Sequence, residues 1–244
     1  MIVGFLHSGS GTGNQLFRYI TTRVVALDKG LDFGFYGVEN NKMRSFMSLD
    51  FGKQPDGILR HFEEKKIVEN GIDIRGYDPE INFIKDNTSI DGEFQDERYW
   101  KHRLPEIKEW LKTEELKIDD DVCVIGFRGG EYVGVYELFL TKDYWDDAIK
   151  LMKEINPNMK FEVHTDDPDT ARKFFDYPIT RDVSINWRSF RYAKYAIIAN
   201  SSFFIIPCLL NERAEKIIAP RYWARRNIGV WALPQNYYSK FYYI

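Results

Sequence analysis

Four short segments of the 244-residue sequence combine residue types that do chemistry. The first is Gly126-Phe127-Arg128-Gly129-Gly130-Glu131-Tyr132, directly after the apolar run Val122 to Phe127. A guanidinium offers a planar fork of donors that matches a phosphate, and glycines let the backbone approach a ligand. An anion lying against the backbone suits this spacing, and so does a structural salt bridge from Arg128. The second is Ala199-Asn200-Ser201-Ser202-Phe203, between an apolar strand-like run and a helical one. Hydroxyls and free N–H groups at a helix start donate well to phosphate, and a serine there also serves as an ordinary cap. The third is His164-Thr165-Asp166-Asp167-Pro168-Asp169. Its carboxylates suit Mg²⁺ or Mn²⁺ on a diphosphate, or a single acid accepting from a base or ribose. One of them also suits the cap of a helix starting near Pro168. His164 has no neighbouring partner for a metal site. The fourth is Ser10-Gly11-Thr12-Gly13-Asn14-Gln15, a glycine turn opening a helix. It lacks the Lys-Ser/Thr of a P-loop and the glycine spacing of a dinucleotide fingerprint, so its ligand stays open.

These segments need elements to hold them. Ile2 to Leu6 reads as a strand, and Leu16, Phe17, Ile20, Val24 and Leu27 recur at helical spacing behind the glycine turn. Residues 30–90 are rich in Gly, Asn and Asp, and their elements must be short. Pro105 to Leu116 reads as a helix. The second half alternates: strand Val122 to Phe127, helix Tyr144 to Ile155 closed by Asn156-Pro157, strand Phe161 to His164 and helix Asp169 to Phe175. Helix Trp187 to Lys194, strand Ala196 to Ala199, helix Phe203 to Leu210 with Pro207 as a break or start, and strand Ile217 to Ala219 follow. Strands alternating with helices imply an α/β fold with a mainly parallel sheet. A boundary near residue 116 divides the chain into 1–116 and 117–244, read as two α/β lobes with a cleft between them.

Composition removes several function classes. Hydrophobic residues make up 44% and charged residues 29%, an ordinary globular balance. With 34 basic and 37 acidic side chains and a net charge of −3, nothing calls for a nucleic-acid partner. Aromatic residues reach 16%, which suits a core, a sugar platform or a partner surface alike. Cys123 and Cys208 sit in apolar runs and read as buried thiols in a reducing compartment. No apolar stretch approaches the ~18 residues of a membrane span. The N-terminus lacks the cationic and apolar regions of a signal peptide, so a cytoplasmic location is expected. Lys65-Lys66 and Arg225-Arg226 read as solvated surface, and the closing run Tyr237, Tyr238, Phe241, Tyr242, Tyr243 as lobe packing.

Taken in order, the segments resemble the alpha-1,2-fucosyltransferases of glycosyltransferase family 11, within the wider fucosyltransferase superfamily. SGTGNQLFRY at 10–19 is similar to GGLGNQMFQY, and DGEFQDERYW at 91–100 to GYFQSEKYF. GFRGGEY at 126–132 resembles H-x-R-R-G-D-Y, and FEVHTDDP at 161–168 resembles F-x-x-F-S-D-D. AIIANSSF at 196–203 is similar to IIANSSFSWW, and IIAPRYW at 217–223 to V-I-A-P-x-x-W. The matched pieces are scattered between residues 10 and 223, and their order carries the resemblance more than any single motif.

The resemblance implies two Rossmann-like lobes of the GT-B type, with a reduced N-terminal lobe. It implies an inverting, metal-independent transfer of L-fucose from GDP-fucose, with no cofactor, to a glycan hydroxyl, O2 of a galactoside. GDP-fucose would sit on the C-terminal lobe and the glycan acceptor mostly on the N-terminal one. Arg128 would grip the diphosphate. Asn200, Ser201, Ser202 and Phe203 would add phosphate donors, and Asp166 would hold the guanine or ribose. Gly11, Gly13, Asn14 and Gln15 would form a loop at the cleft. Glu131 is the first choice for base or electrostatic helper, with Glu137 second. The sequence departs from the family pattern at Gly126 (His), Gly129 (Arg), Glu131 (Asp) and Phe204-Ile205 (Trp-Trp). Those departures leave open a different nucleotide sugar, or a glycan- or nucleotide-binding protein without turnover.

Overall fold

The apolar tetrad Ile2–Phe5 forms strand β1, and the glycine turn behind it delivers helix α1, Thr12–Lys29. Leu16, Phe17, Ile20 and Val24 are buried as their spacing requires, and Gly30 closes the helix with φ 63°. That left-handed C-terminal position costs glycine nothing. Leu27, placed on the same apolar face by its spacing, is 43% exposed instead, two residues before the helix ends. Strand β2 (Phe33–Tyr36) lies parallel to β1. Short elements follow: β3 (Arg60–Glu63), an antiparallel hairpin of β4 (Ile67–Glu69) and β5 (Ile72–Ile74), and β6 (Thr88–Asp91). Helix α2 is Leu104–Trp110. The first sheet has the order β2-β1-β6-β3, with every pair parallel.

The second half runs β7 (Val122–Phe127), α3 (Lys142–Ile155), β8 (Lys160–Thr165), α4 (Pro168–Ala171), β9 (Ile179–Thr180) and α5 (Val183–Tyr192). It continues with β10 (Tyr195–Ile198), α6 (Ser202–Leu210), β11 (Lys216–Ala219) and β12 (Tyr242–Tyr243). These strands form one parallel sheet of order β12-β11-β10-β7-β8-β9. Trp145, Trp187, Phe127 and Phe190 are among its fully buried side chains.

This computed structural model describes residues 1–69, 72–74, 76–222 and 237–244. Trp223 and the Arg225-Arg226 pair lie outside the described residues. The chain divides into two units, one holding 1–112 with 237–238, the other holding 113–222 with 239–244. Both are α/β units with parallel sheets, as Rossmann-like folds are.

Several elements differ from their sequence reading. Helix α2 stops at Trp110, short of Leu116. Glu114 and Glu115 would place negative charge at the negative end of the helix dipole. Helix α5 starts at Val183, before Trp187, because Asp182 Oδ1 accepts the Ile185 N–H at 2.8 Å. Helix α4 starts at Pro168 and ends early, at Ala171. Helix α6 runs on through Pro207 rather than breaking there. The closing aromatic run splits: Tyr238 is fully buried and donates its hydroxyl to the Gln95 carbonyl at 2.8 Å, while Tyr237 is 57% exposed.

Candidate functional site

In the second unit, chain order and sheet order part company at β7. The chain passes from β7 to β8 on one side, and then returns to lay β10 on the other. Such a switch leaves a crevice beyond the carboxyl ends of the two strands, where open parallel sheets take their ligands. Arg128 follows β7 directly, and Asn200 and Ser201 follow β10. The two strands are in register at Gly126 and Ile198, and the Ala199 N–H donates to the Gly126 carbonyl at 2.8 Å. The sheet thus brings the Arg128 and Ser201 segments together at one edge, and β8 adds Asp166 and Asp167 beside them.

Arg128 is held on three sides. Its Nη1 donates to Asp166 Oδ2 and its Nη2 to Glu131 Oε1, the latter at 2.8 Å. The Tyr132 ring lies beside the guanidinium, 5.3 Å from its carbon to the ring centroid. Tyr132 donates its hydroxyl to the Asn200 carbonyl at 3.3 Å, so one aromatic ring links the two loops. Burial pushes the Tyr132 pKa up, which keeps that proton in place. The Arg128 side chain remains 28% exposed. Glu131 is 76% exposed, whereas Asp166 is 33% exposed and also accepts the Gly129 N–H at 3.1 Å. Glu137 is exposed on the same loop.

The glycines of this loop are required by its neighbours. A Cβ on Gly129 would stand 2.6 Å from the Asp167 Cβ. Gly130 has φ 44° and would press on Asp166 Oδ2. A Cβ on Gly126 would meet the Phe190 and Phe204 rings at 2.9 Å. Rings from α5 and α6 therefore occupy the space that a side chain at 126 would need.

Asp167 caps α4, its Oδ1 accepting the Thr170 N–H at 3.1 Å, while its Oδ2 accepts the Gly130 N–H at 3.2 Å. The Thr170 hydroxyl, then the Thr170 N–H, hold its pKa below the usual carboxylate value. Among the described residues no three of His, Cys, Asp and Glu gather as a metal site requires. His164 is buried one residue before Thr165 and points the other way, its Nδ1 2.9 Å from Asn186 Oδ1. Burial lowers its pKa to about 4, so it is neutral, and no described residue bonds its Nε2.

Ser201 is the N-cap residue of α6, yet its hydroxyl makes no cap bond. The residue is 7% exposed, and its hydroxyl leaves the first N–H groups of the helix, at Ser202 and Phe203, uncapped. Asn200 donates its Nδ2 to the Leu138 carbonyl at 2.9 Å and so ties the β10 loop to the chain after Tyr132. Two cavities lie elsewhere in this unit. One of about 620 Å³ is lined by Lys117, Asp120 and Arg213 before β7, and one of about 510 Å³ by Lys142, Lys153 and Phe174 along α3.

The glycine turn belongs to the first unit. Gly11 is exposed and Gly13 buried. Asn14 Oδ1 accepts from Gln95 Nε2 at 3.1 Å. Gln15 is fully buried, and its amide is spent internally: Nε2 donates to the His7 and Asn40 carbonyls at 3.0 Å, and Oε1 accepts the Lys42 N–H at 3.1 Å. Arg18, which sequence reasoning passed over, organises this end of the sheet. It donates to the Gly92 carbonyl at 2.6 Å and to Ser10 Oγ at 2.5 Å. Tyr132 was also missed as an anchor, although it stands four residues after Arg128, near enough for its ring to fold back beside the guanidinium.

Both cysteines are free and buried, and burial raises both thiol pKa values. No helix among the described residues is long and apolar enough to cross a membrane. No protein-family model matches the chain. Over 262 aligned residues, spanning 88% of this chain and 90% of the relative, the sequence is 25% identical to an alpha-1,2-colitosyltransferase of Escherichia coli.

Proposed function

We propose that the chain is an inverting glycosyltransferase that moves L-fucose from GDP-fucose to a glycan hydroxyl, O2 of a galactoside. The observation that carries this reading is the pairing of a partly exposed guanidinium with an uncapped helix start across adjacent strand ends at the switch point. The similarity to a named glycosyltransferase over most of both chains supports it. The two parallel-sheet units are read as the lobes of a GT-B enzyme, with the nucleotide sugar on the second and the acceptor on the first.

Cleaving the anomeric C–O bond puts growing negative charge on the departing diphosphate. Donors already fixed where that charge develops lower the barrier without reorganising. Arg128 would exchange the exposed Glu131 carboxylate for phosphate oxygens, while Asp166 keeps the guanidinium in place and offers its remaining lone pairs to a ribose or base. The Ser201 hydroxyl and the N–H groups of Ser202 and Phe203 would take further phosphate oxygens. Glu131, once released, is the first choice to receive the acceptor proton or to offset the charge of the oxocarbenium-like sugar, and Glu137 the second.

A second reading, a colitose donor, is favoured by the name of the Escherichia coli relative. GDP release in the presence of a galactoside, compared between GDP-fucose and GDP-colitose, decides the sugar. GDP is expected to raise the melting temperature more than UDP does, and EDTA to leave turnover unchanged. Nucleotide binding with no turnover of either donor would sink the transferase reading in favour of a binding protein. Loss of activity on chelation, restored by Mn²⁺, would return the Asp166-Asp167 pair to a metal role.

A further inference from the structure

One corner of the first unit's sheet meets solvent. Side chains alternate along β1. Gly4 faces α1, where a Cβ would press on the Thr22 hydroxyl, and stands beside the Phe35 ring of β2, so Val3 and Phe5 face the other way. Phe5 is in register with Tyr36, Val3 with Ser89, and Ser89 with His61, which sets these residues on one face. Around Phe5 three more rings gather. His7 is stacked on it at 5.6 Å with 3° between planes, Tyr36 lies at 5.5 Å, and His61 presents an edge at 6.3 Å. Parallel sheets are ordinarily covered on both faces. Here Tyr36 is 41% exposed, the His7 side chain 44%, and His61 is exposed too.

The polar atoms of this corner are mostly acceptors. His7 Nε2 lies 2.8 Å from Asp91 Oδ2, and Asp91 Oδ1 takes the Gly92 N–H at 2.9 Å. A carboxylate only accepts, so this bond puts an N–H on His7 Nε2, and in the neutral imidazole Nδ1 then carries a lone pair. The Ser89 hydroxyl donates to the Arg60 carbonyl at 3.2 Å and lies 3.0 Å from His61 Nδ1, which makes Nδ1 the donor; in the neutral imidazole Nε2 then carries a lone pair. The Tyr36 hydroxyl and the exposed Glu63 carboxylate bond no described residue. The Arg18 guanidinium is buried: it is engaged with the Gly92 carbonyl and Ser10, and its Nε lies 3.6 Å from Asp91 Oδ1, which leaves Asp91 Oδ2 as the oxygen of that carboxylate turned to the corner.

We propose that this corner binds a neutral pyranoside of a glycan. The Tyr36, Phe5 and His7 rings offer a platform to the C–H face of the sugar. His7 Nδ1, His61 Nε2, Asp91 and Glu63 accept from its hydroxyls, and the Tyr36 hydroxyl adds a donor. The exposed Glu63 carboxylate and the partly exposed Asp91, with no exposed Lys or Arg bonded to either among the described residues, select hydroxyl donors and repel phosphate or an acidic sugar. The proposal deepens the proposed function by naming the residues of the first unit that would hold the glycan. It rests on that function only for calling the glycan an acceptor, because the binding needs no nucleotide.

The test is an NMR titration of the full chain, without nucleotide, following the His7, His61 and Tyr36 ring signals. The probes are lactose, methyl β-galactoside and methyl β-glucoside, with sialyllactose as the anionic arm. At least one neutral sugar is expected to shift all three residues saturably, and Tyr36→Ala or His7→Ala to weaken it about tenfold, or ~1.4 kcal/mol. Tyr36 and His7 are exposed, so both variants should keep the wild-type melting temperature, and an Asp91→Asn variant checks the imidazole orientation separately. No shift with any neutral sugar, unchanged affinity in both alanine variants, or tighter binding of sialyllactose overturns the proposal. A GDP-induced rise in melting temperature, measured on the same samples, tells the two readings apart: GDP binding without sugar binding removes this site and leaves the donor site standing.

Discussion

Replacing Arg128 by alanine separates a catalytic guanidinium from a structural one. Structurally the loss is small. The Asp166 and Glu131 pairs involve side chains that are 33% and 76% exposed, and ion pairs that wet contribute ~1 kcal/mol or less. For a chain of this size ~1 kcal/mol lowers the melting temperature by about 2–4 °C. Catalytically the loss is large. One fixed donor at developing charge is worth ~2.7–4 kcal/mol, or ~10²–10³ in rate. Removing Arg128 also leaves two carboxylates uncompensated where the diphosphate would lie. Turnover, followed as GDP release from GDP-fucose with a galactoside, should fall by about two or more decades while the fold persists. Arg128→Lys keeps the charge but not the fork, and should recover only part of the loss. Activity of the alanine variant within about threefold of wild type would remove Arg128 from the site, and with it the catalytic role of the switch point.

Two further outcomes follow from buried groups. His164 has its pKa lowered by burial from 6.5 to about 4. The unfolded chain therefore takes up a proton between those values and the folded chain does not. Its contribution is fully present above pH 6.5 and is lost as pH falls to about 4, roughly 3 kcal/mol in all. Urea unfolding between those limits should show the loss, and His164→Gln should flatten that part of the profile; an equal slope in the variant would assign it elsewhere. Gly126→Ala should destabilise by ~1–3 kcal/mol, because the Phe190 and Phe204 rings must give way. An unchanged urea midpoint would mean that the rings move freely.

Much of the second unit was readable from local pattern. Apolar runs such as Val122 to Phe127 and Ile217 to Ala219, separated by helical spacing, are short-range signals, and the strands lie within a residue of where the runs put them. The first unit was less readable, since strands of three or four residues such as β3 and β4 carry too little alternation to stand out. Residue type also limited the reading. Arg128 was singled out as an anion ligand, but its partners Asp166 and Tyr132 are chosen by strand order and by a ring folding back, neither of which leaves a local trace.

By itself the sequence determined the α/β class, the parallel pattern, and the glycines and hydroxyls that open helices after strands, because each depends on residues within one or two turns of one another. Only the tertiary structure decided that β10 returns to the far side of β7, which sets Ser201 near Arg128 although they are 73 positions apart in the chain. It also decided that Phe190 and Phe204 leave no room for a side chain at Gly126, and that His7 leans on Asp91 over Phe5. Strand order and side-chain volume are properties of the assembled sheet, and distant residues acquire a common site only once its hydrogen bonds have chosen their neighbours.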